Sequence, residues 1–358
     1  MFNFINKKSI GIDIADRTIE VAELTKKKGK ILISSRGRRK IAQGIVERGQ
    51  IKDKEELSKA VKKALFKAKP YPITNKNIAF GLPESQVYFH IFELDKPGDR
   101  DIDKLILEEA KRNIPLANDD LFFSYQELSG SKDRKEYLIT AASQKVAQDW
   151  QDFFSKLGIE LDSFDIETLA TFRSVFFKGV KKQVCIIDIG AVTTNISIFN
   201  KYGLLYSFSK KLAGNDITKE LAKSLKVDED KAEEQKLKIG LSRKDSRLLP
   251  IIIKELGEII SEVRNAIDYV EDKEGEEVSE IILVGGSSQM KGVVRYFREN
   301  LKMPVSLGRL SITDVKTPLV YLTAAGYALK GLSKKWRNDP DLRLAPKKEK
   351  KTCKSSYS

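Results

Sequence analysis

The chain has 358 residues, 41% of them hydrophobic, and a net charge of +14. That length fills two domains of ordinary size around a large core, while one histidine and two cysteines exclude a disulfide framework and a histidine metal cluster. No apolar run approaches the roughly 18 residues of a membrane span, and the opening MFNFINKKS lacks the apolar segment of a signal peptide, so the expected location is the cytoplasm.

Residues 9–24, SIGIDIADRTIEVAEL, read as an apolar strand, Asp13, a short turn and an alternating strand. A Lys-rich turn with Gly29 leads into a further strand, so residues 9–36 form a meander. Residues 26–40 hold eight Lys or Arg and no acid. Anionic lipid or nucleic acid suits such a patch, and a solvated hairpin tip is the plain alternative. Asp53 has the place of an N-cap, with Glu56 three residues on and Leu57, Val61, Ala64 and Leu65 along one helical face. Strands follow at 77–82 and 87–94.

From about 96 to 161 the texture changes to a Pro-Gly turn, a helix over 101–113, strands at 121–128 and 137–142, and a helix over 145–157. This predicts an inserted α/β module with its own sheet. Residues 164–177 return as a helix to the first domain.

The strand-turn pattern then repeats at 184–199, VCIIDIGAVTTNISIF. Gly190 lets the backbone approach a ligand closely, Thr193 and Thr194 add hydroxyls, and Asp188 stands where a carboxylate can hold the hydration shell of Mg²⁺. A plain hairpin turn fits the same letters, but two such turns half a chain apart predict a duplicated domain with facing halves. Gly214 and Asp216 open a helix, and Asp228 caps another that carries Glu233 and Lys236 and stops at Gly240. A long helix is expected over 245–272, with Pro250 in its first turns. Residues 280–292, EIILVGGSSQMKG, are a buried-type strand running into Gly285 and Gly286 and then a helix. A closing helix spans 318–332. After Trp336 the chain is Pro-, Lys- and Ser-rich, with nine Lys or Arg against three acids over 334–358, and is expected to be disordered.

Taken together, IDIGAVTTNISIF, the AGNDIT helix start with DKAEEQKLKIG, ILVGGSSQMKG and the terminal TAAGYALKGL resemble the actin-like ATPase superfamily over residues 8–332. Within it the chain is most similar to the PilM family of type IV pilus assembly proteins, relatives of the cell-division protein FtsA. The resemblance implies an α/β actin-like ATPase fold with two duplicated domains around a nucleotide cleft. The domains would be 1–183, with the insertion at about 96–161, and 184–316, with an outer helical part at about 214–275, followed by a closing helix at 317–333 and the basic tail.

The resemblance also implies ATP and Mg²⁺ as ligands. Asp13 and Asp188 would act on the metal through water, and Ala15, Asp16, Arg17, Gly190, Ala191, Thr193 and Thr194 would wrap the phosphates. Glu233 and Lys236 would meet the ribose, and Gly285, Gly286 and Ser287 the adenosine. The first loop departs from the family pattern: Ala15 stands for a glycine, Asp16 for a hydroxyl residue, and Glu20 for a base further along the strand. An acid at position 16 opposes phosphate unless a cation lies between, and no residue stands out as a base for water, so hydrolysis is expected to be slow or absent.

The implied function is an actin-like component of a type IV pilus or related secretion assembly. It would bind the cytoplasmic N-terminal segment of a PilN-like inner-membrane protein, in a groove with walls at 87–94 and 101–113. An anionic membrane surface and self-association stay open as further contacts, and no nucleic acid is expected. An FtsA-like division protein is the alternative and a small-molecule kinase the more distant one. The former would need an apolar helical face in the tail, which Pro340 and Pro346 interrupt.

Overall fold

Each strand-turn repeat becomes the antiparallel centre of a five-stranded sheet in the computed structural model, which describes residues 7–95, 101–130, 134–159, 161, 163–242, 248–312, 317–332 and 342. The first unit opens with the meander β1 (Lys7–Ile14), β2 (Thr18–Lys27) and β3 (Lys30–Lys40), followed by the small hairpin β4 (Val46–Glu47) and β5 (Gln50–Ile51). Helix α1 (Lys54–Phe66) starts where expected because Asp53 accepts from the Glu55 and Glu56 amides at 3.0 and 2.9 Å. Strand β6 (Ile78–Leu82) then runs parallel to β1.

Strand β7 (Val87–Asp95) leaves this sheet. It pairs with β9 (Arg134–Ser143), which also pairs with β8 (Leu121–Gly130), giving a separate three-stranded sheet in the order β7-β9-β8. The module's sheet thus takes in a strand before residue 96. Its helix α2 (Ile102–Asn113), capped by Asp101, lays Ile106 and Ala110 on Tyr137, Ile139 and Ala141. Ile114, just past the helix, joins the same core, whereas Leu105 and Leu107 are not part of it. Helix α3 (Gln144–Lys156) goes elsewhere: Trp150, Phe153 and Phe154 pack with Phe80 and Leu57 in the first unit's core. The turns expected around 96–100 and 131–133 lie outside the described residues.

Residues 165 and 166 do not join the following helix. Asp165 and Ile166 pair with Gly81 and Leu82 as a short edge strand, β10, so α4 (Glu167–Val175) begins only at Glu167. The first sheet therefore reads β10-β6-β1-β2-β3.

The second unit repeats the plan with β11 (Gln183–Ile189), β12 (Thr194–Phe199) and β13 (Leu204–Lys210). Helices α5 (Gly214–Leu225), α6 (Glu229–Ile239) and α7 (Leu248–Glu274) follow, and the first residues expected of the long helix lie outside the described ones. Strand β14 (Val278–Val284) is parallel to β11, and α8 (Val293–Leu301) and β15 (Val305–Leu307) complete the sheet β13-β12-β11-β14-β15. The closing α9 (Leu322–Leu332) begins after a short 3-10 turn at Leu319–Tyr321.

Alternation along the strands sets the layers. Ile10, Ile12, Ile19 and Val21 face α1 and α3, while Ala22 and Leu24 face α4 and α9. In the second sheet Cys185, Ile187, Ile196 and Ile198 face α5, α7 and α8, and Val184, Ile186 and Phe199 face α4 and α9. Helices α4 and α9 are therefore shared filling between the two sheets. The approach there is close: a Cβ on Gly11 would stand 1.8 Å from the Ala324 carbonyl oxygen, and one on Gly326 1.9 Å from that of Ala170. Beneath them, fully buried Arg173 binds Asp165 through both terminal nitrogens, at 2.8 and 3.3 Å, and donates to the Gly326 carbonyl at 2.8 Å.

The inserted module also reaches the second unit. Lys273 at the end of α7 pairs with Glu136 of β9 at 3.1 Å, and the Leu128 side chain packs against Gly203 in the β12–β13 turn. Of the basic tail, Leu342 alone is described. It is fully buried and pairs with Phe164 through two backbone hydrogen bonds of 2.7 and 2.9 Å, so disorder does not hold at that residue.

Candidate functional site

The two turns fold alike. The Ala15 amide donates to the Thr18 carbonyl at 2.9 Å, and the Gly190 amide to that of Thr193 at 3.0 Å. Neither Ala15 nor Gly190 has a positive φ, so alanine fits the first turn without strain. Among the described residues the amides of Ala191, Val192 and Thr193 take no protein acceptor, and Val192 and Thr193 line a cavity of about 820 Å³. Consecutive free amides of this kind suit an anion. The cavity lies between the units, with Asp16, Arg17 and Arg48 on one wall and Thr193, Asn215 and Asp216 on the other.

The helix after the second turn braces it. The Gly214 and Asn215 amides donate to the carbonyls of Gly190 and Ala191 at 3.0 and 2.8 Å, and the Thr194 hydroxyl donates to the Leu212 carbonyl at 2.6 Å. Thr194 is buried, so it fastens the loop and only Thr193 faces the cavity. Lys236 is buried as well. Its ammonium donates to the Gly214 carbonyl at 2.9 Å and Thr218 Oγ1 at 3.0 Å, and pairs with Glu233 at 2.6 Å, which engages all three of its hydrogens. Glu233 stays partly exposed, and Lys236 supports the loop from beneath.

Gly285 closes the floor with φ +84°, and a Cβ there would stand 2.3 Å from Asp188 Oδ1. Only glycine fits both the angle and the space. Ser287 is buried, its hydroxyl donating to the Gly190 carbonyl at 3.4 Å, while Gly286 is half-buried with open space over its Cα.

Asp13 and Asp188 end their strands in equivalent places, and the structure adds two acids to them. Glu167 begins α4 and Glu84 follows β6. The Glu84 amide donates to Glu167 at 2.9 Å. Its carboxylate accepts from the Thr168 hydroxyl and, across the cleft, from Ser207 of β13 at 2.9 Å. Burial, then Glu167, Glu20 and Asp188, push Asp13 well above the usual carboxylate range; burial, then Glu167 and Glu84, push Asp188 up to about 7. Glu84 is also held up at about 7, chiefly by burial. Four carboxyls thus crowd one floor and resist ionising together. A divalent cation beside them would relieve this. Among the described residues no three of His, Cys, Asp and Glu form a group that could hold a metal ion directly.

Asp16 lines the cavity and also has a structural task. Its carboxylate accepts from the Arg48 and Gly49 amides at 2.9 and 3.2 Å, pinning the β4–β5 turn to the first loop. Arg17 donates to Gln43 at 3.2 Å. The charge that Glu20 lacks comes from the neighbouring strand, where Arg38 binds Glu20 at 2.6 Å. Asp16→Ala should therefore free the hairpin. Hydrogen exchange at the Arg48 and Gly49 amides is expected to rise about tenfold, the scale of one lost charge-assisted bond, and unchanged exchange would remove this role.

The duplicated sheets, the paired turns and the glycine-closed floor define the actin-like ATPase fold. The chain belongs to the family of type IV pilus assembly protein PilM, whose model matches residues 11–313. The structure is similar to a solved PilM-PilN type IV pilus biogenesis complex with a TM-score of 0.78 at 18% identity, covering 91% of this chain and 98% of that one. It is also similar to MreB 5 of Spiroplasma citri bound to AMPPNP, with a TM-score of 0.54 at 14% identity, covering 90% and 96%. Among curated proteins it is 26% identical over 234 residues to the cell division protein FtsA of Pseudomonas aeruginosa, 58% of this chain and 56% of that protein. The FtsA of Neisseria meningitidis is 30% identical over 200 residues, 49% and 48%. The chain spans about half the length of these curated relatives.

Proposed function

We propose that this chain is the ATP-binding, actin-like component of a type IV pilus or related secretion assembly. In this reading it works in the cytoplasm at the inner membrane, docked on the cytoplasmic N-terminal segment of a PilN-like protein. The observation that carries the nucleotide half is the cluster of carboxyls, Glu84 buried and Asp13, Asp188 and Glu167 part-buried, between two phosphate-type turns and backed by Gly285. Bound Mg²⁺ would neutralise the polyphosphate and the carboxyls together. Asp13 and Asp188 would hold its water shell, Thr193 and the amides from Ala191 to Thr193 would hold phosphate, and Gly285, Gly286 and Ser287 would back the adenosine. Glu167 is the carboxylate placed to orient a water. Its engagement with the Glu84 amide supports slow turnover. Calorimetry should show Mg²⁺-dependent ATP binding that Asp188→Ala weakens at least tenfold. No binding at millimolar ATP would sink this reading, and turnover near the ~10 per second of a typical enzyme would contradict slow hydrolysis.

For the peptide, β7 offers support: it is an edge strand, pairing with β9 alone among the described strands, so one row of its backbone groups can take an extended segment. Leu105 and Leu107 of α2 are half-buried and stand outside the module's own core. Glutamate at both should abolish capture of a synthetic peptide from the membrane partner and leave ATP binding intact. Deleting residues 343–358, which keeps Leu342 in its socket, should leave both intact; loss of the peptide on that deletion would move the docking element to the tail.

A further inference from the structure

The β4–β5 turn is built against its own backbone preference. Glu47 and Gln50 pair across it, so Arg48 and Gly49 are its two central residues, with φ +49° and +72°. Two-residue hairpin turns with both angles positive favour Asn-Gly, and a long branched-off side chain at the first position is strained. The turn is nonetheless held from three sides. Asp16 accepts from the Arg48 and Gly49 amides at 2.9 and 3.2 Å, Gln86 donates to the Arg48 carbonyl at 2.6 Å, and the buried Trp150 indole donates to the Gly49 carbonyl at 3.0 Å. The first loop, the segment after β6 and helix α3 thus all fix a turn whose first residue keeps an unfavourable angle.

This arrangement presents a guanidinium to the cleft. Arg48 is exposed, lines the cavity opposite Thr193, and pairs with no carboxylate among the described residues. Other cations of the first unit on that wall are engaged: Arg17 donates to Gln43 at 3.2 Å, and Lys52 to Gln50 at 3.0 Å. Lys211 and Lys219 enter the cavity from the second unit as ammonium point charges, whereas a guanidinium offers a planar fork that fits phosphate oxygens.

We infer that Arg48 recognises the terminal phosphate of the bound nucleotide. The inference rests on the reading of the cleft as an ATP site, and it adds the residue that tells a triphosphate from a diphosphate. Among the described residues the cavity beside Arg48 takes in Val192 and Thr193 of the second loop but not Gly285, Gly286 or Ser287. The guanidinium therefore stands at the phosphate end, away from the adenosine side. Strain kept at a cleft-facing side chain, in a turn braced by three other elements, is what a held functional group requires. The same device answers the acid of the first loop. The Asp16 carboxylate is occupied by two amides, and the residue that supplies one of them carries the opposing charge.

The test is calorimetric titration of the full chain with MgATP and with MgADP, alongside thermal melting of the ligand-free chain. Arg48→Gln should weaken MgATP by about tenfold to a hundredfold, the scale of a hydrogen bond between charged groups, and change MgADP little. Arg48→Lys should recover part of the loss. Arg48→Asn suits the turn, so it should raise the ligand-free melting temperature by about 2 °C while weakening MgATP as Arg48→Gln does. A more stable fold with weaker ATP binding is an outcome that a purely structural role for Arg48 does not produce. Lys52→Gln, a charge removed from the same wall, should affect the two nucleotides alike and little. Unchanged MgATP affinity in Arg48→Gln, with MgATP bound by the unaltered chain, would overturn this inference alone. Equal losses of MgATP and MgADP would replace recognition of the terminal phosphate by a general effect of charge. No MgATP binding by the unaltered chain would overturn the functional reading and this inference with it.

Discussion

Arg173→Leu should lower the free energy of unfolding by about 3–5 kcal/mol, the usual scale when one partner of a buried ion pair is removed. Arg173 has no exposed surface, and Asp165 is buried beside it with Lys330 at 3.5 Å. Burial pushes the Asp165 carboxyl up, but Arg173 and Lys330 outweigh it and hold the group below its ordinary range. The ion pair's contribution is accordingly present above the ordinary carboxylate pKa and fades as pH falls through the lowered one. Without Arg173 the carboxylate keeps the Ile166 amide and the more distant ammonium, and the Gly326 carbonyl loses the guanidinium donor between α4 and α9. Adding Asp165→Leu to Arg173→Leu should recover part of the loss, since it removes the orphaned charge. Urea titration reads both variants; a loss under about 1 kcal/mol for Arg173→Leu would mean that water reaches this layer.

A second large effect should appear in the pH dependence of the ligand-free protein. Asp188, Glu84 and Glu20 each titrate at about 7 when folded, against 3.8 for an ordinary Asp and 4.5 for an ordinary Glu, burial being the largest cause in all three. Between those values the folded chain holds protons that the unfolded chain has released. Stability therefore falls as pH rises from about 4.5 to 7. Each such proton is worth about 1.4 kcal/mol per pH unit, or roughly 2–4 °C for a chain of a few hundred residues. Melting temperature without ligand should drop across that window. MgATP should flatten the drop, because a hydrated cation favours the ionised carboxylates, and its binding near pH 6 should release protons, measurable as a buffer-dependent heat. A flat ligand-free profile, or proton uptake on binding, would contradict the acidic floor.

The parts of the site that lie within one strand-turn-strand unit could be read directly. Asp13, Asp188 and Gly190 follow from an apolar run that ends in an acid and a small-residue turn, and the caps Asp53, Asp101 and Asp228 follow from position before a helical face. Glu84 and Glu167 could not be read in this way. They stand 83 residues apart, each resembles an ordinary acid at a helix start, and only the pairing of β10 with β6 brings them together. The letters of the first loop placed Asp16 near phosphate, whereas its partner amides come from a hairpin 32 residues on. Strand β7 reads as sheet in either setting, and nothing local says that it pairs with β9 rather than with β6. Leu342 is one apolar residue in a polar stretch, with no periodicity to mark it.

The bridge between Lys273 and Glu136 bears on how the cleft width could be sensed from outside. Two chain segments join the units, one through residues 176–183 and one between β15 and α9, and the described residues Phe176, Phe177, Val180, Ile312 and Leu319 pack in the core of the shared helices α4 and α9. Two nearby crossings act like the pins of one hinge. The module's contact with α7 and with Gly203 stands off that axis as a third support, so a rotation that widens the cleft must either carry the module along or part it from the second unit. A part-exposed Lys-Glu pair resists by only about 0.2–1 kcal/mol, little enough for the support to slip and enough to bias where it rests. The tilt of β7 and α2 would then serve as a pointer whose angle follows the separation of the two halves.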